Sequence, residues 1–293
     1  MKIIVAPNTG LCYGVKRALT LAKDTRRKRE GRVVTLGDLI HNPQVISDLR
    51  RRGIESVDSV DDVGTGTVII RSHGVSPDVT RLLKRRAIDV VDATCPIVTK
   101  IQELVARLAR ARQEIIIVGN PDHPEIRGLI GYSRGRGLII ENEVQAAALP
   151  HRAKRAVLAQ STQDMVLFEK VVGALLRRTD ELRAFNTICR STQTRQRAAS
   201  ELAARVDVLF IVGGHSSSNT RKLYEISKRI LPRTYFIETA AQITPAMLHG
   251  ASTVGISGGA STPPEAVEDA VRMIEQTFES HSHREENRTP CPR

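Results

Sequence analysis

Three lone cysteines, each opening the same succession of signals, constrain this chain more than any other feature. Cys12, Cys95 and Cys189 stand 83 and 94 residues apart (95 − 12 and 189 − 95). Each begins a stretch with helical spacing and is followed by an apolar run that ends in glycine. These runs are Val33-Val34-Thr35-Leu36-Gly37, Ile115-Ile116-Ile117-Val118-Gly119 and Leu209-Phe210-Ile211-Val212-Gly213. The next polar landmark, His41, His123 or Ser217, falls 29, 28 and 28 residues after its cysteine. A second apolar run in each copy also ends in polar residues: Ile69-Ile70-Arg71-Ser72-His73, Val157-Leu158-Ala159-Gln160-Ser161, and Val254-Gly255-Ile256-Ser257 ahead of Gly258 to Ser261. A sequence that repeats itself in this way builds similar modules. Three of them around an axis would bring the thiols together, ringed by histidine and serine.

Helical and strand patterns alternate, which implies mainly parallel sheets covered by helices. The repeat divides the chain into α/β modules at 14–95, 96–189, and 190–278 together with 1–13. Residues 279–293 are polar and aperiodic and read as a disordered tail. The spacing predicts helices over 14–29, 77–86, 97–112, 164–178, 191–205, 219–230 and from Pro263 to about Phe278. The segment around Asp122-His123-Pro124-Glu125 reads as a loop followed by a glycine-rich stretch. A strand precedes every cysteine and closes the module before it. Residues 2–6 have no earlier module to close, so the N-terminal strand is expected to pair within the third.

Composition narrows the function classes. The chain has 293 residues, 41% of them hydrophobic, and a formal charge of +12. Its basic runs, such as Arg26-Arg27-Lys28-Arg29, read as solvated helix faces that attract a small anionic substrate or an acidic protein partner. Nucleic-acid binding is the other reading of that charge, but with 3% aromatics and no Trp there is no stacking platform for single strands. No apolar run approaches the length of a membrane span, and Met-Lys-Ile-Ile-Val-Ala-Pro is a short strand rather than a signal peptide. The expected location is the cytoplasm. Four widely separated cysteines without CxxC spacing argue against a disulfide framework. Cys291, in the polar tail, receives no role.

The polar clusters sit at strand ends just before helices, where α/β sheets bind ligands and helix N-termini offer free N–H groups to phosphate. Ser217, Ser218 and Asn219 add donors at one such start, and His41, His73 and His123 at others. Three converging thiolates suit a soft metal or an iron–sulfur cluster; zinc with Cys₃His is the competing reading. A four-iron cluster held by three thiolates leaves one iron open to substrate as a Lewis acid. Glu125 then becomes a candidate proton donor to a leaving oxygen, against its plainer reading as a charge at a helix start. His123-Pro124-Glu125 has the H-x-E spacing of zinc deaminases but lacks the following P-C-x-x-C. There is no Walker loop, and Gly64-Thr65-Gly66 lacks the third glycine of a dinucleotide fingerprint.

At these residues the chain resembles the 4-hydroxy-3-methylbut-2-enyl diphosphate reductase family. The resemblance runs over roughly residues 1–278. It is carried by Gly10-Leu11-Cys12-Tyr13-Gly14-Val15, His41-Asn42-Pro43, Ser72-His73-Gly74-Val75-Ser76, Asp92-Ala93-Thr94-Cys95-Pro96, His123-Pro124-Glu125, Gln160-Ser161-Thr162, Thr187-Ile188-Cys189, Ser217-Ser218-Asn219 and Gly259-Ala260-Ser261. It implies a pseudo-threefold trefoil of three α/β modules around a central [4Fe–4S] cluster. By position Cys12, Cys95 and Cys189 would hold that cluster, with one iron lacking a protein thiolate and facing the substrate hydroxyl. It further implies Glu125 as proton donor, helped by Ser161 at the hydroxyl end. His41, His73, His123, Ser217, Ser218, Asn219 and Ser261 would bind the diphosphate. The implied reaction is reductive dehydroxylation of an allylic diphosphate to isopentenyl and dimethylallyl diphosphate, the last step of the methylerythritol phosphate route. Ferredoxin or flavodoxin would supply the electrons, with no nucleic acid or membrane involved. The alternative is a non-catalytic iron–sulfur or zinc protein that binds phosphorylated ligands. The chain departs from the family pattern at Leu11 (usually Phe), at Asn8-Thr9 (usually an Arg-containing turn), at Ser161 (usually Thr) and at Arg190 (often Tyr).

Overall fold

The structure, a computed structural model, describes residues 1–286. In chain order the regular elements begin with β1 (Lys2–Val5), α1 (Tyr13–Lys28), β2 (Val33–Leu36), α2 (Pro43–Arg51), β3 (Ile54–Val57), β4 (Thr67–Ile70), α3 (Pro77–Arg85) and β5 (Asp89–Asp92). The same rhythm returns in α4 (Pro96–Arg110), β6 (Glu114–Val118), α5 (Pro124–Tyr132), β7 (Gly137–Ile140), α6 (Glu143–Ala148), β8 (Arg152–Ala159), α7 (Met165–Leu176) and β9 (Thr179–Phe185). It returns again in α8 (Arg190–Ala203), β10 (Val208–Val212), α9 (Ser218–Ile230), β11 (Thr234–Ile237), α10 (Pro245–Leu248), β12 (Thr253–Gly258) and α11 (Pro264–Glu286).

The strands form three four-stranded, wholly parallel sheets, ordered β3-β2-β4-β5, β7-β6-β8-β9 and β11-β10-β12-β1. The three orders are one pattern. In the third sheet the fourth place belongs to the N-terminal strand, with Ile3 opposite Val254 and Val5 opposite Ile256. The central strands β2, β4, β6 and β10 are buried along nearly their whole length, as expected where helices cover both faces of a parallel sheet. Their apolar runs are the ones that stand out in the sequence. Edge strands are different: β9 reads Thr-Asp-Glu-Leu-Arg-Ala-Phe and exposes most of its length.

The chain divides into two compact units, Cys12–Gln193 and Met1–Leu11 with Thr194 onward. The larger holds the first two sheets, with apolar clusters around Val34, Val68 and Leu83 and around Ile115, Ile117, Leu129 and Leu158. The smaller holds the third sheet, with its own clusters around Phe210, Val254 and Ile274 and around Ala199, Leu209 and Leu223.

Three elements depart from the sequence expectation. The glycine-rich stretch after Glu125 is helix α5, not loop. Gly128 and Gly131 lower intrinsic helix propensity, but Gly131 is required by packing: a Cβ there would stand 2.6 Å from the Ser76 Cβ. Tertiary contact with the start of α3 thus overrides local preference. β3, Ile-Glu-Ser-Val, is too polar in its middle to be read as a strand from its sequence. The last helix does not stop near Phe278 but continues to Glu286. The expected disordered tail therefore begins as helix, and the rest of it, Cys291 included, lies outside the described residues.

Replacing Gly131 by Val forces a branched side chain into the α3–α5 contact. The expected loss is about 1–3 kcal/mol, seen as a lower urea midpoint with unchanged slope; an unchanged midpoint would show that α5 and α3 can separate freely.

Candidate functional site

The cysteines of the larger unit are placed by sheet register. β4 and β5 run side by side with Ile70 opposite Asp92, so the residues that follow each strand emerge together. The Cys95 amide donates to the Ser72 carbonyl at 2.9 Å, and the Cys189 amide donates to the Ser161 carbonyl at 2.9 Å. The turn into each cysteine is fixed by an acidic or amide side chain: Asp92 accepts from the Thr94 amide at 2.8 Å, and Asn186 accepts from the Ile188 amide at 3.2 Å. Arg17 on α1 donates to the Thr94 carbonyl at 3.0 Å. Ahead of Cys12, Asn8 adopts a left-handed φ of 61°, a conformation that asparagine tolerates better than most residues.

Cys12 and Cys95 are the N-cap residues of α1 and α4, and Cys189 immediately precedes α8. All three are free thiols and half-buried. Burial pushes the Cys95 thiol up, the Ile97 and Val98 amides of α4 pull it back, and Cys12 and Cys189 push it further up. The three sulfurs therefore lie within electrostatic reach of one another. α1 approaches Cys95 so closely that a Cβ on Gly14 would stand 2.6 Å from its Sγ. Unpaired thiols at helix starts, where amides and the helix dipole favour thiolate, form a donor set that fits a soft metal or an iron–sulfur cluster.

Beside them sits a second cluster. His41, His73 and His123 follow β2, β4 and β6. The His41–His73 ring centroids are 4.3 Å apart, and each lies 5.3 Å from that of His123. Their nearest ring nitrogens fall within 4.8 Å of one another, close enough to share one metal ion. All three are held below the usual histidine range, first by burial: His123 falls to about 3, pushed also by His41 and Arg71, and His73 lies well below its ordinary value. They are neutral at physiological pH. His123 Nδ1 accepts from the Glu125 amide at 3.2 Å, so the proton of this neutral ring sits on Nε2.

Glu125, in the first turn of α5, is 2% exposed. The Ser161 amide donates to its Oε1 at 2.7 Å and the Ser161 hydroxyl to its Oε2 at 2.6 Å. Burial raises the carboxyl above its ordinary value, and the two Ser161 bonds oppose that rise without cancelling it. Because Ser161 also carries the carbonyl that holds Cys189, one residue ties the acid to the thiol. Serine at this position thus keeps the hydroxyl bond.

In the smaller unit, Ser217 caps α9 by accepting from the Thr220 amide at 3.3 Å and receives a bond from the Ser261 hydroxyl at 3.4 Å. Ser218 and Asn219 begin the helix. Asn219 is buried, with neither Oδ1 nor Nδ2 hydrogen-bonded among the described residues. Gly213 (φ 147°) and Gly259 let the chain close over Thr220: a Cβ on Gly259 would stand 2.0 Å from its Oγ1. Cys12, Cys95, Cys189, His41, His73, His123, Glu125 and Ser161 thus belong to one unit, and Ser217, Ser218, Asn219 and Ser261 to the other. Arg190 is exposed. Sequence reasoning missed Arg71, a half-buried guanidinium whose charge reaches all three histidines. The signal available was its place two residues before His73.

Among the described residues no helix is long and apolar enough to cross a membrane. The family model described as LytB protein matches residues 3–275. A 4-hydroxy-3-methylbut-2-enyl diphosphate reductase of Geotalea uraniireducens is 40% identical over 283 residues, covering 97% of this chain and 100% of the relative. A solved (E)-4-hydroxy-3-methyl-but-2-enyl diphosphate reductase, the terminal enzyme of the non-mevalonate pathway, is 39% identical with a TM-score of 0.68, covering 94% of this chain and 100% of that one. The E-1-hydroxy-2-methyl-but-2-enyl-4-diphosphate reductase of Plasmodium falciparum, 24% identical, shares the fold with a TM-score of 0.88 over 93% of this chain and 87% of that one.

The raised Glu125 carboxyl has a consequence for stability. A carboxyl whose folded pKa lies above its unfolded value of 4.5 contributes stability below that pH and loses it as pH rises through the folded value. Urea unfolding of the wild type should therefore weaken across that window more than unfolding of Glu125→Gln. Ser161→Ala, which removes a bond to the carboxylate, should move Glu125 further up by carboxyl ¹³C NMR. Parallel stability profiles, or a downward move, would refute the assignment.

Proposed function

Because the chain belongs to the LytB family, we propose that it carries out the reductive dehydroxylation of 4-hydroxy-3-methylbut-2-enyl diphosphate, the last step of the methylerythritol phosphate route. The hydroxyl leaves as water, two electrons and two protons enter, and isopentenyl and dimethylallyl diphosphate are formed. The observation that carries this reading is the Glu125–Ser161–Cys189 connection: a buried acid of raised pKa, held by a residue that also holds a thiol.

Cys12, Cys95 and Cys189 hold a [4Fe–4S] cluster with one iron lacking a protein thiolate. When bound, the cluster supplies single electrons and a Lewis-acidic iron for the substrate oxygen. Glu125 delivers the proton that turns the departing hydroxyl into water, a role suited to a carboxyl that keeps its proton above the ordinary range. Ser161 fixes the orientation of that carboxyl through both of its bonds. His41, His73 and His123, neutral and donor-bearing, are the diphosphate-binding residues of the larger unit; Ser217, Ser218, Asn219 and Ser261 are those of the smaller. The three sheets act as three modules, divided near 95 and 189, with the N-terminal strand in the third. Electrons come from ferredoxin or flavodoxin in the cytoplasm, and the chain's net charge of +12 favours such acidic partners.

Anaerobic reconstitution with iron and sulfide, followed by turnover of the allylic diphosphate, tests the reading. Serine at position 12, 95 or 189 should lose the brown colour, bound iron and activity together. Glu125→Gln should keep iron and colour while turnover falls roughly 10²–10⁴-fold. Full activity in Glu125→Gln, or a complete cluster without Cys95, would reject it.

A further inference from the structure

Three histidines with ring nitrogens within 4.8 Å of one another are a donor set that divalent zinc ordinarily accepts. The reading above gives the same rings to an anion. Neutral imidazole can serve either ligand, as donor to one and acceptor to the other, so something outside the rings must decide between them. Arg71 is placed to do so.

Arg71 follows β4, and the β2–β4 register (Leu36 opposite Ile70) sets it beside Gly37. The guanidinium lies over the Gly37 backbone, where a Cβ would stand 2.3 Å from Nη1; Gly37 also holds a φ of 70°. A side chain at 37 would be strained in this left-handed backbone and would displace the end of Arg71, so glycine lets the guanidinium lie against the backbone. The other face of Arg71 lines a cavity of about 370 Å³ with Asp58, Ser59, Ser76 and Arg127.

A second arginine shows what ordinary burial of this group looks like. Arg155 is 1% exposed, and its guanidinium meets Glu114 at 2.5 Å and the carbonyls of Arg178 at 2.8 Å and Pro150 at 2.6 Å. The Arg71 guanidinium has no ion pair or hydrogen bond among the described residues, and its Nε is buried without a partner. Asp38 and Asp58 act on it only through space, and Arg127 opposes them. A half-buried cation without a paired carboxylate is costly unless an anion arrives.

We propose that Arg71 is the specificity-determining residue that commits the three-histidine cluster to an anionic ligand and bars a divalent metal from it. The proposal rests on the reading of His41, His73 and His123 as the diphosphate end. A fixed positive charge whose field reaches the rings repels a dication and attracts a diphosphate, and in a partly desolvated site neither effect is screened as it would be in water.

The test uses the cluster-loaded protein under anaerobic conditions, so that the thiols are occupied, with inorganic pyrophosphate and zinc as separate probes. By calorimetry, Arg71→Met should weaken pyrophosphate binding roughly 10–100-fold, and Arg71→Lys should restore most of the loss, which a space-filling role would not. By equilibrium dialysis, wild type should bind no zinc that His123→Asn removes, whereas Arg71→Met should gain one equivalent that the double variant with His123→Asn loses. Equal pyrophosphate affinity in wild type and Arg71→Met, failure of lysine to rescue, or no zinc gained by Arg71→Met would each overturn the proposal. So would histidine-dependent zinc in the wild type, a result that needs no Arg71 variant to fold. Wild-type protein that ignores pyrophosphate sinks the diphosphate reading and this proposal together; wild type that binds it, beside an Arg71→Met that binds equally, sinks this proposal alone.

Discussion

The amide of a cysteine bonded to the carbonyl of a serine one strand away is the contact on which the site depends. It exists because two parallel neighbours end level with each other. Ile70 faces Asp92 and Leu158 faces Phe185, so the next residues along must also meet, and they do so as Ser72 with Cys95 and Ser161 with Cys189. In the larger unit His41, His73, Cys95, His123, Ser161 and Cys189 each lie within five positions after a strand end. Helices follow at once, and their unsatisfied amides turn toward the same side. A parallel sheet thus places thiol, hydroxyl and imidazole together through backbone geometry, before any side chain chooses a rotamer.

Burial then sets the chemistry. The histidines stay neutral and the carboxyl of Glu125 is drawn toward its protonated form, both chiefly because water is excluded. These shifts point the same way: charge is removed from the side chains proposed to meet the substrate. Ser161 moderates the effect. Its two bonds favour the carboxylate, so Glu125 is an acid that can lose its proton rather than one locked against loss. Arg71 is the exception among these groups, a charge kept where others have been suppressed.

What could be read in the sequence, and what could not, follows from the same physics. Central strands are covered on both faces, so they appear as unbroken apolar runs such as Ile115 to Val118, and the repeat built on them was visible. Edge strands need only one apolar face: β3, with two polar residues in its middle, left no distinct trace, and β9 was expected only because a strand precedes every cysteine. The N-terminal strand is an edge strand that was nevertheless legible, because the repeat demanded a partner for it. Helix α5 was obscured by Gly128 and Gly131, and the reason for Gly131 lies in the approach of Ser76 and nowhere in the local sequence. Cysteine and histidine positions were legible because their chemistry is scarce and their spacing recurs. The tie between Ser161 and Glu125 was legible only through the family resemblance, since 36 residues and a strand crossing separate them; Arg71 drew no assignment, because nothing local marks it from the other arginines.

The smaller unit prepares its loop by different means. Glycine at 213 and at 259 brings two turns against Thr220, and Ser261 leans on Ser217 across 44 residues of sequence. The third sheet has its own apolar clusters, so this arrangement is set by local packing. Inside it Asn219 is buried with both amide atoms lacking partners, a state that costs on the order of 1–3 kcal/mol for each group. An asparagine that served only to cap or to fill space would have been satisfied by its neighbours or replaced by an apolar residue of similar size at lower cost. Both amide atoms therefore remain available to a ligand, an acceptor for Nδ2 and a hydroxyl or bridging water for Oδ1, and under the proposed function a hydrated diphosphate would offer both.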